Sequence, residues 1–226
     1  MVERIELDFK LAIGIPLVSD RVHTQFLDSF IRMRKGNFVY CRPMFPTGFT
    51  SDIASVRNSI VEQAVLAGCT HLLFMDTDQN YPIDVVEKLV AHKKDIIGAK
   101  VHMRYPPFMP TIYRYDKKVE QYYILKEEEW VNKEELIEVD ATGTGCILIK
   151  TDVFLDMKQP WFEFIKNDDG VVVGEDINFC KKAKDLGYNI YIDPSIKVNH
   201  MSNLEVDELT YFIHKKLKAL GGKPNG

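Results

Sequence analysis

Four short apolar runs in the first hundred residues are separated by three stretches of helical period, and this alternation most limits the folds open to the chain. The runs are Lys10–Ile15, Phe38–Tyr40, His71–Met75 and Asp95–Ala99. Between them, Val22, Phe26, Leu27, Phe30 and Ile31 predict the face of a first helix, with Ser19 or Asp20 as its cap. Ile53, Val56, Ile60, Ala64 and Ala67 predict a second helix, starting near Ser51 and ended by Gly68. Pro82 suits the first turn of a third, running to about His92. Strands that alternate with helices imply a mainly parallel sheet covered on both faces.

The third run leads straight into Asp76-Thr77-Asp78. Two carboxylates therefore leave the C-terminal end of a buried strand, the edge where open α/β sheets bind ligands. Acids one residue apart are common at turns, but at this edge they suit a hard divalent cation that in turn holds a diphosphate. Asp78 is the better candidate for the ion, and Asp76 either shares it or faces a ribose. The pattern points to an enzyme that acts on a nucleotide-activated substrate.

The second half reads as mixed. Thr111–Tyr113 and Tyr122–Leu125 predict a hairpin, and an acidic stretch, Glu127–Glu129, precedes a strand at about Leu136–Val139. Thr142-Gly143-Thr144-Gly145 opens the apolar run Cys146–Ile149. A helix is predicted over Glu175–Leu186, strands at Ile190–Ile192 and Ile196–Val198, and an amphipathic helix from about Leu204 to Leu220. With no linker or repeat in 226 residues, the expectation is one domain over 1–226: a nucleotide-binding half (1–100), an acceptor and catalytic half (101–203), and a C-terminal helix and tail (204–226).

Two further groups bear on chemistry. Gly174-Glu175-Asp176 opens a helix, where acids ordinarily just complement the dipole; a carboxylate on a rigid first turn also suits a general base. Val198-Asn199-His200 ends a strand with an imidazole, which beside carboxylate oxygen is a good ligand for Mn²⁺. The connection from Lys100 to Pro110, with His102 and Arg104, is either an exposed loop or a lid that contacts a diphosphate. Trp161 and Phe162 read as packing or, alternatively, as a platform for a sugar.

Composition removes several classes. A net charge of −4 gives no basic face for nucleic acid. No run approaches a membrane span, and the N-terminus lacks a leader pattern, so the expected location is cytoplasmic. Cys41, Cys69, Cys146 and Cys180 stand singly with no C-x-x-C, which predicts reduced, mostly buried thiols.

Taken in order, Leu72–Asp78, Gly174–Cys180, Gly187–Pro194 and Val198–His200 resemble the GT-A glycosyltransferases, in particular the family 2-like enzymes, over roughly residues 10 to 200. The resemblance implies a Rossmann-type, mainly parallel sheet with a mixed second half. It implies a metal-dependent transferase that moves a sugar from a UDP- or GDP-linked donor to an acceptor hydroxyl, with inversion. Asp76 and Asp78 match its D-x-D, His200 its late metal-binding histidine, and the ion is Mn²⁺ or Mg²⁺. Asp176 matches the catalytic base, with Glu175 positioning the acceptor. Pro16, Val18 and Arg57 are implied at the donor nucleotide, and Gly143, Thr144 and Gly145 at the sugar and acceptor; Lys100, from its place after a strand end, and Trp161, as the alternative aromatic platform, are further candidates for donor and sugar. Gln159-Pro160-Trp161-Phe162 departs from the pattern. The acceptor itself is left unnamed.

Two rivals share the same residues. A sugar-phosphate nucleotidyltransferase would carry a glycine-rich, basic loop after the first strand, whereas Pro16-Leu17-Val18-Ser19-Asp20-Arg21 has no glycine. A non-catalytic nucleotide-sugar-binding module would have no need to keep every acid named above.

Overall fold

The computed structural model describes residues 9–17, 21–34, 39–40, 52–167, 170–202 and 205–219. In the first half, β1 (Lys10–Gly14), α1 (Thr24–Arg32), β2 (Val39–Tyr40), α2 (Ile53–Leu66) and β3 (His71–Met75) lead to β4 (Gln79–Asn80), α3 (Val85–Ala91) and β5 (Ile96–Val101). The hairpin β6 (Ile112–Asp116) and β7 (Gln121–Ile124) follows, then α4 (Glu127–Trp130), β8 (Ile137–Val139), β9 (Ala141–Thr142), β10 (Cys146–Lys150) and α5 (Thr151–Asp156). The chain ends with β11 (Ile165–Lys166), β12 (Val172–Val173), α6 (Glu175–Asp185), β13 (Ile190–Met201), β14 (Glu205–Val206) and α7 (Glu208–Ala219).

The main sheet runs β14-β13-β5-β10-β3-β1-β2, with β4 and β8 also paired to β13. The β1–β2, β1–β3 and β5–β13 pairs are parallel, as the βαβ pattern requires. Between β3 and β5 the sheet admits β10, antiparallel to both. Its apolar run Cys146–Ile149 is buried, because a central strand covered on both faces cannot alternate with polar residues. The fold is thus mixed α/β around a mostly parallel sheet.

Alternation along the strands divides the core into two layers. Ala12, Leu72, Phe74, Ile147 and Ile149 face Ile60, Val61 and Ala64 of α2, Phe154 of α5 and Phe179 of α6. Leu11, Ile13, Leu73, Met75 and Leu148 face Phe26 of α1 and Val85, Val86 and Leu89 of α3. Asp52 caps α2, its Oδ1 accepting from the Ser55 amide at 2.9 Å. Gly68 ends it at φ 64°, a left-handed conformation that suits glycine.

Several expectations are corrected. Helix α1 buries Phe26 and Ser29 and leaves Leu27 and Ile31 exposed; only nine residues long, it lies on the sheet with a narrow stripe. Its N-cap is His23, which makes no side-chain capping bond, and not the expected Ser19 or Asp20, which lie outside the described residues. The two strands expected over 190–198 are one, β13, whose pairing with β5 shifts register between Asp193 and Lys197. Cys146 and Cys180 are free and buried, but Cys69 is disulfide-bonded. Single spacing along the chain does not keep thiols apart in space; Cys41 lies outside the described residues. Among the described residues no helix is long and apolar enough to cross a membrane.

Candidate active site

The acidic tripeptide leaves β3 as its pattern predicts, and a second strand fixes its geometry. Because Cys146 of β10 is in register with Met75, the turn before β10 lies against the residues after β3. The Asp76 amide donates to the Gly145 carbonyl at 2.9 Å. The Tyr81 hydroxyl lies 2.8 Å from both the Asp76 and the Gly145 carbonyl oxygens and shares its proton between them. A Cβ on Gly145 would run into the Gln79 amide and come within 2.8 Å of the Asp76 carboxylate. Glycine is needed here for close approach.

The same tripeptide is tied to the far end of the chain. Strand β4 pairs antiparallel with β13 so that Gln79 faces His200, and the Met201 amide donates to the Asp78 carbonyl at 2.7 Å. His200 Nε2 therefore lies 3.1 Å from Asp78 Oδ2. The other ring nitrogen, Nδ1, is 2.9 Å from the His102 carbonyl; since a carbonyl only accepts, Nδ1 carries the proton and Nε2 is the nitrogen turned to the carboxylate. Arg104 Nη1 reaches the same Asp78 oxygen at 3.0 Å. Burial pushes the Asp78 carboxyl up, but the His200 hydrogen bond and the charges of His200 and Arg104 outweigh it and hold it below its ordinary value. Burial likewise pulls His200 down, and its bond to Asp78 reverses this, leaving it above the usual histidine value.

Asp76 faces another way. Its carboxylate meets Arg57 Nη2 at 3.2 Å, and Arg57 Nη1 pairs with Glu175. Arg57 is buried, so one guanidinium on α2 joins the end of β3 to the first turn of α6. Asp176, next along that turn, has Oδ2 within 3.8 Å of where a Gly143 Cβ would sit and Oδ1 within 2.7 Å of a Gly174 Cβ. Burial first, and then the charge of Glu175, raise its carboxyl to about 6, with Arg57 partly offsetting both.

The structure thus gathers Arg57, Asp76, Gly143, Gly145, Glu175 and Asp176 in one linked set, and Asp78 with His200 in a second that follows directly from it. Among the described residues no three His, Cys, Asp or Glu side chains are grouped to hold a metal: Asp78 and His200 form a pair, and Asp76 is engaged by Arg57. Of six buried side-chain polar atoms without a partner among the described residues, four are Arg57 Nε, Gln79 Oε1, Arg104 Nε and Thr144 Oγ1. Such atoms are rare in folded proteins, and their concentration here suits a polar ligand.

Other expected residues lie elsewhere. The Lys100 ammonium pairs with Glu208 and sits 5.1 Å from the Trp130 ring centroid, enclosed by α7. Trp161 is in the core, its indole N–H donating to the Phe154 carbonyl at 2.8 Å. Pro16 is buried just past β1, and Val18 lies outside the described residues. Gln79 and Tyr81 were not singled out from the sequence: neither stands in a pattern, and their contacts appear only once β10 is seen beside β3.

The architecture has counterparts among solved structures. The protein A197 from STIV superposes with a TM-score of 0.57 at 18% identity over 86% of each chain. GalNAc-T7, solved with UDP, GalNAc and Mn²⁺, gives 0.54 at 12% identity over 87% of this chain and 43% of that one. The chain has a GT-A-like fold. No family model matches the sequence. Over 190 residues it is 25% identical to the mannan polymerase complex subunit MNN9 of Candida albicans, a match covering 66% of this chain and 49% of that protein. The chain therefore spans about half the length of the curated relative it matches.

Proposed function

We propose that this GT-A-like chain is a metal-dependent, inverting glycosyltransferase that moves a sugar from a nucleoside diphosphate to an acceptor hydroxyl. The observation that carries the reading is the meeting of Asp78 and His200, 122 residues apart, at the C-terminal edge of the sheet. Nδ1–H on a backbone carbonyl fixes the tautomer and turns Nε2 toward a carboxylate, the outer-shell arrangement found behind metal-bound histidines. A carboxylate oxygen with an imidazole nitrogen is a donor set that suits Mn²⁺ or Mg²⁺ with phosphate oxygens as further ligands. Such an ion, held by Asp78 and His200, would supply charge neutralisation to a leaving diphosphate.

The protein's own groups have separate tasks in this reading. Asp176 takes the proton of the acceptor hydroxyl. The acceptor oxygen forms its bond to the anomeric carbon as the bond from that carbon to the phosphate oxygen breaks, and the nucleoside diphosphate departs with the electron pair. Attack on the face opposite the leaving group inverts the centre. A carboxyl with pKa raised to about 6 is still ionised at neutral pH and is a stronger base than an ordinary carboxylate. Arg57 holds Asp76 and Glu175 in fixed relation, so that Asp76 can meet the donor and Glu175 the acceptor. Thr142–Gly145 brings backbone close to the sugar.

The relative that is a subunit of a mannan polymerase complex makes mannose a first donor sugar to test, GDP- or UDP-linked. The test is a thermal-shift series with nucleoside diphosphates, with and without Mn²⁺, followed by transfer assays. One nucleoside diphosphate should raise the melting temperature only with the ion present, the linkage term being about 2.7 kcal/mol at 100 times the dissociation constant. Asp176→Asn should then lower turnover by about 10²-fold or more with donor binding intact. A metal-independent shift, or normal turnover in that variant, contradicts the reading.

A further inference from the structure

A cavity of about 530 Å³ lies between the β6–β7 hairpin and the β11–β12 ribbon, and Gly174, the residue abutted by the Asp176 carboxylate, forms part of its wall. Nothing in the sequence pointed to it. One wall is aromatic. Tyr115 and Tyr122 are register partners across the hairpin, their ring centroids 4.9 Å apart at 47°, and both face the cavity. Tyr113 precedes Tyr115 by two residues on the same face of β6, a step of about 7 Å. Burial, and then the charge of Asp176, raise the Tyr113 hydroxyl to about 12. Tyr113, Tyr115 and Tyr122 thus form an aromatic face on the hairpin, with Tyr115 and Tyr122 in the cavity wall.

The remaining lining narrows the occupant. Ile165 and Val172 give the facing ribbon an apolar surface, while Gln121 and Asn167 offer neutral hydrogen-bonding groups. Among the described residues Glu120 and Lys181 contribute one charge of each sign, and Lys181 is paired with Asp185. A phosphorylated or acidic acceptor would call for surplus cations, and a lipid chain for walls free of amides and charges. Rings with apolar faces and hydroxyl edges match the mixture: they stack on aromatic side chains and bond amides at their rims.

We infer that this cavity binds a neutral glycan as the acceptor, stacked on Tyr115 and Tyr122 with its terminal hydroxyl at Asp176. The acceptor role rests on Asp176 being the base; glycan binding in the cavity does not. Trp161 packs in the core, the first of its two readings, and the aromatic platform in this inference is the hairpin's.

Saturation-transfer NMR on the full chain, with neutral mannose- and glucose-based mono-, di- and tetrasaccharides as probes, tests the inference. Binding should strengthen from mono- to tetrasaccharide, and Tyr115→Ala should weaken it about tenfold while Tyr115→Phe retains it. Neither variant should alter the thermal shift given by nucleoside diphosphate with Mn²⁺, which also reports that they fold. Absence of saccharide binding to the wild type, or unchanged binding in Tyr115→Ala, overturns the inference, and an intact nucleotide shift would leave the transferase reading standing. Tyr115-dependent saccharide binding with no nucleotide shift would support the glycan site and remove the transferase reading.

Discussion

Asp176 is held between two demands. Its turn places it beside Glu175 in a partly buried site, which raises the carboxyl to about 6. The folded protein therefore binds this proton more tightly than the unfolded chain does, so the stability it contributes is present below about pH 4 and lost as pH rises through about 6. At pH 8 the wild type carries the full penalty of an ionised, crowded carboxylate. Asp176→Asn should therefore be more stable than wild type at pH 8, by on the order of 2 kcal/mol, and the gain should fade toward pH 4 in urea melts. A variant equally or less stable at pH 8 contradicts the environment described. A second prediction concerns Arg104, which shares Asp78 Oδ2 with His200. A guanidinium and a divalent ion on one oxygen repel, by about 2 kcal/mol near 4 Å in water for charges of one and two, before salt screening reduces it. Arg104→Gln should then bind Mn²⁺ alone more tightly by EPR titration, by about tenfold or more, and should bind nucleoside diphosphate with Mn²⁺ more weakly, because Arg104 Nε lacks an acceptor that a phosphate can supply. Looser binding of Mn²⁺ alone would show that the two cations do not compete. The acids and the histidine were legible in the sequence because carboxylate and imidazole at strand ends are distinctive. Of their neighbours, Arg57 and Arg104 were also named, whereas Gln79 and Tyr81 were not, because they act through contacts across strands and carry no local pattern.

Strand β10 decides the geometry at the level of elements. The alternating pattern of the first hundred residues places β1, β3 and β5 correctly as members of a sheet, and a reader of that pattern would set β3 beside β5. Strand order depends on long-range pairing, which apolar runs do not encode: Cys146–Ile149 is legible as a strand, while its place between β3 and β5 is not. Likewise β4, β9, β11, β12 and β14 are two residues each, too short for any period to register, yet β4 is what brings His200 to Asp78. The insertion of β10 makes a specific demand at Gly145, whose missing side chain leaves room for Asp76 and Gln79. Gly145→Ala should push both side chains aside, at about 1–3 kcal/mol of stability as in overpacked cores, and should reduce transfer at least tenfold by turning Asp76. Circular dichroism melts with initial rates measure the two effects. A variant that loses stability and keeps its rate would separate Gly145 from the site.

Across the whole molecule, the C-terminal helix connects to the site through the back of the sheet. Tyr211 of α7 is buried with Trp130 in the larger core layer, and Glu208 pairs with Lys100 of β5. Two residues after Lys100, His102 supplies the carbonyl that fixes the His200 tautomer. The side chains of Lys100 and Glu208 are 4% and 22% exposed, so neither charge is well solvated and each depends on the other. Removing one partner of such a pair leaves a buried charge uncompensated, which costs about 3–5 kcal/mol, whereas replacing both with apolar groups is often close to neutral. Glu208→Gln should therefore lower the unfolding free energy by about 3 kcal/mol, less whatever the 22% exposure returns to solvent. The double change Lys100→Met with Glu208→Leu should recover most of it, the ring of Trp130 remaining as an apolar surface for the new side chains. If α7 merely rests on the sheet, Glu208→Gln would melt like wild type and the double variant would show no recovery. If the helix braces the segment that carries His102, the single variant should also bind Mn²⁺ more weakly, and the double variant should restore stability and ion binding together.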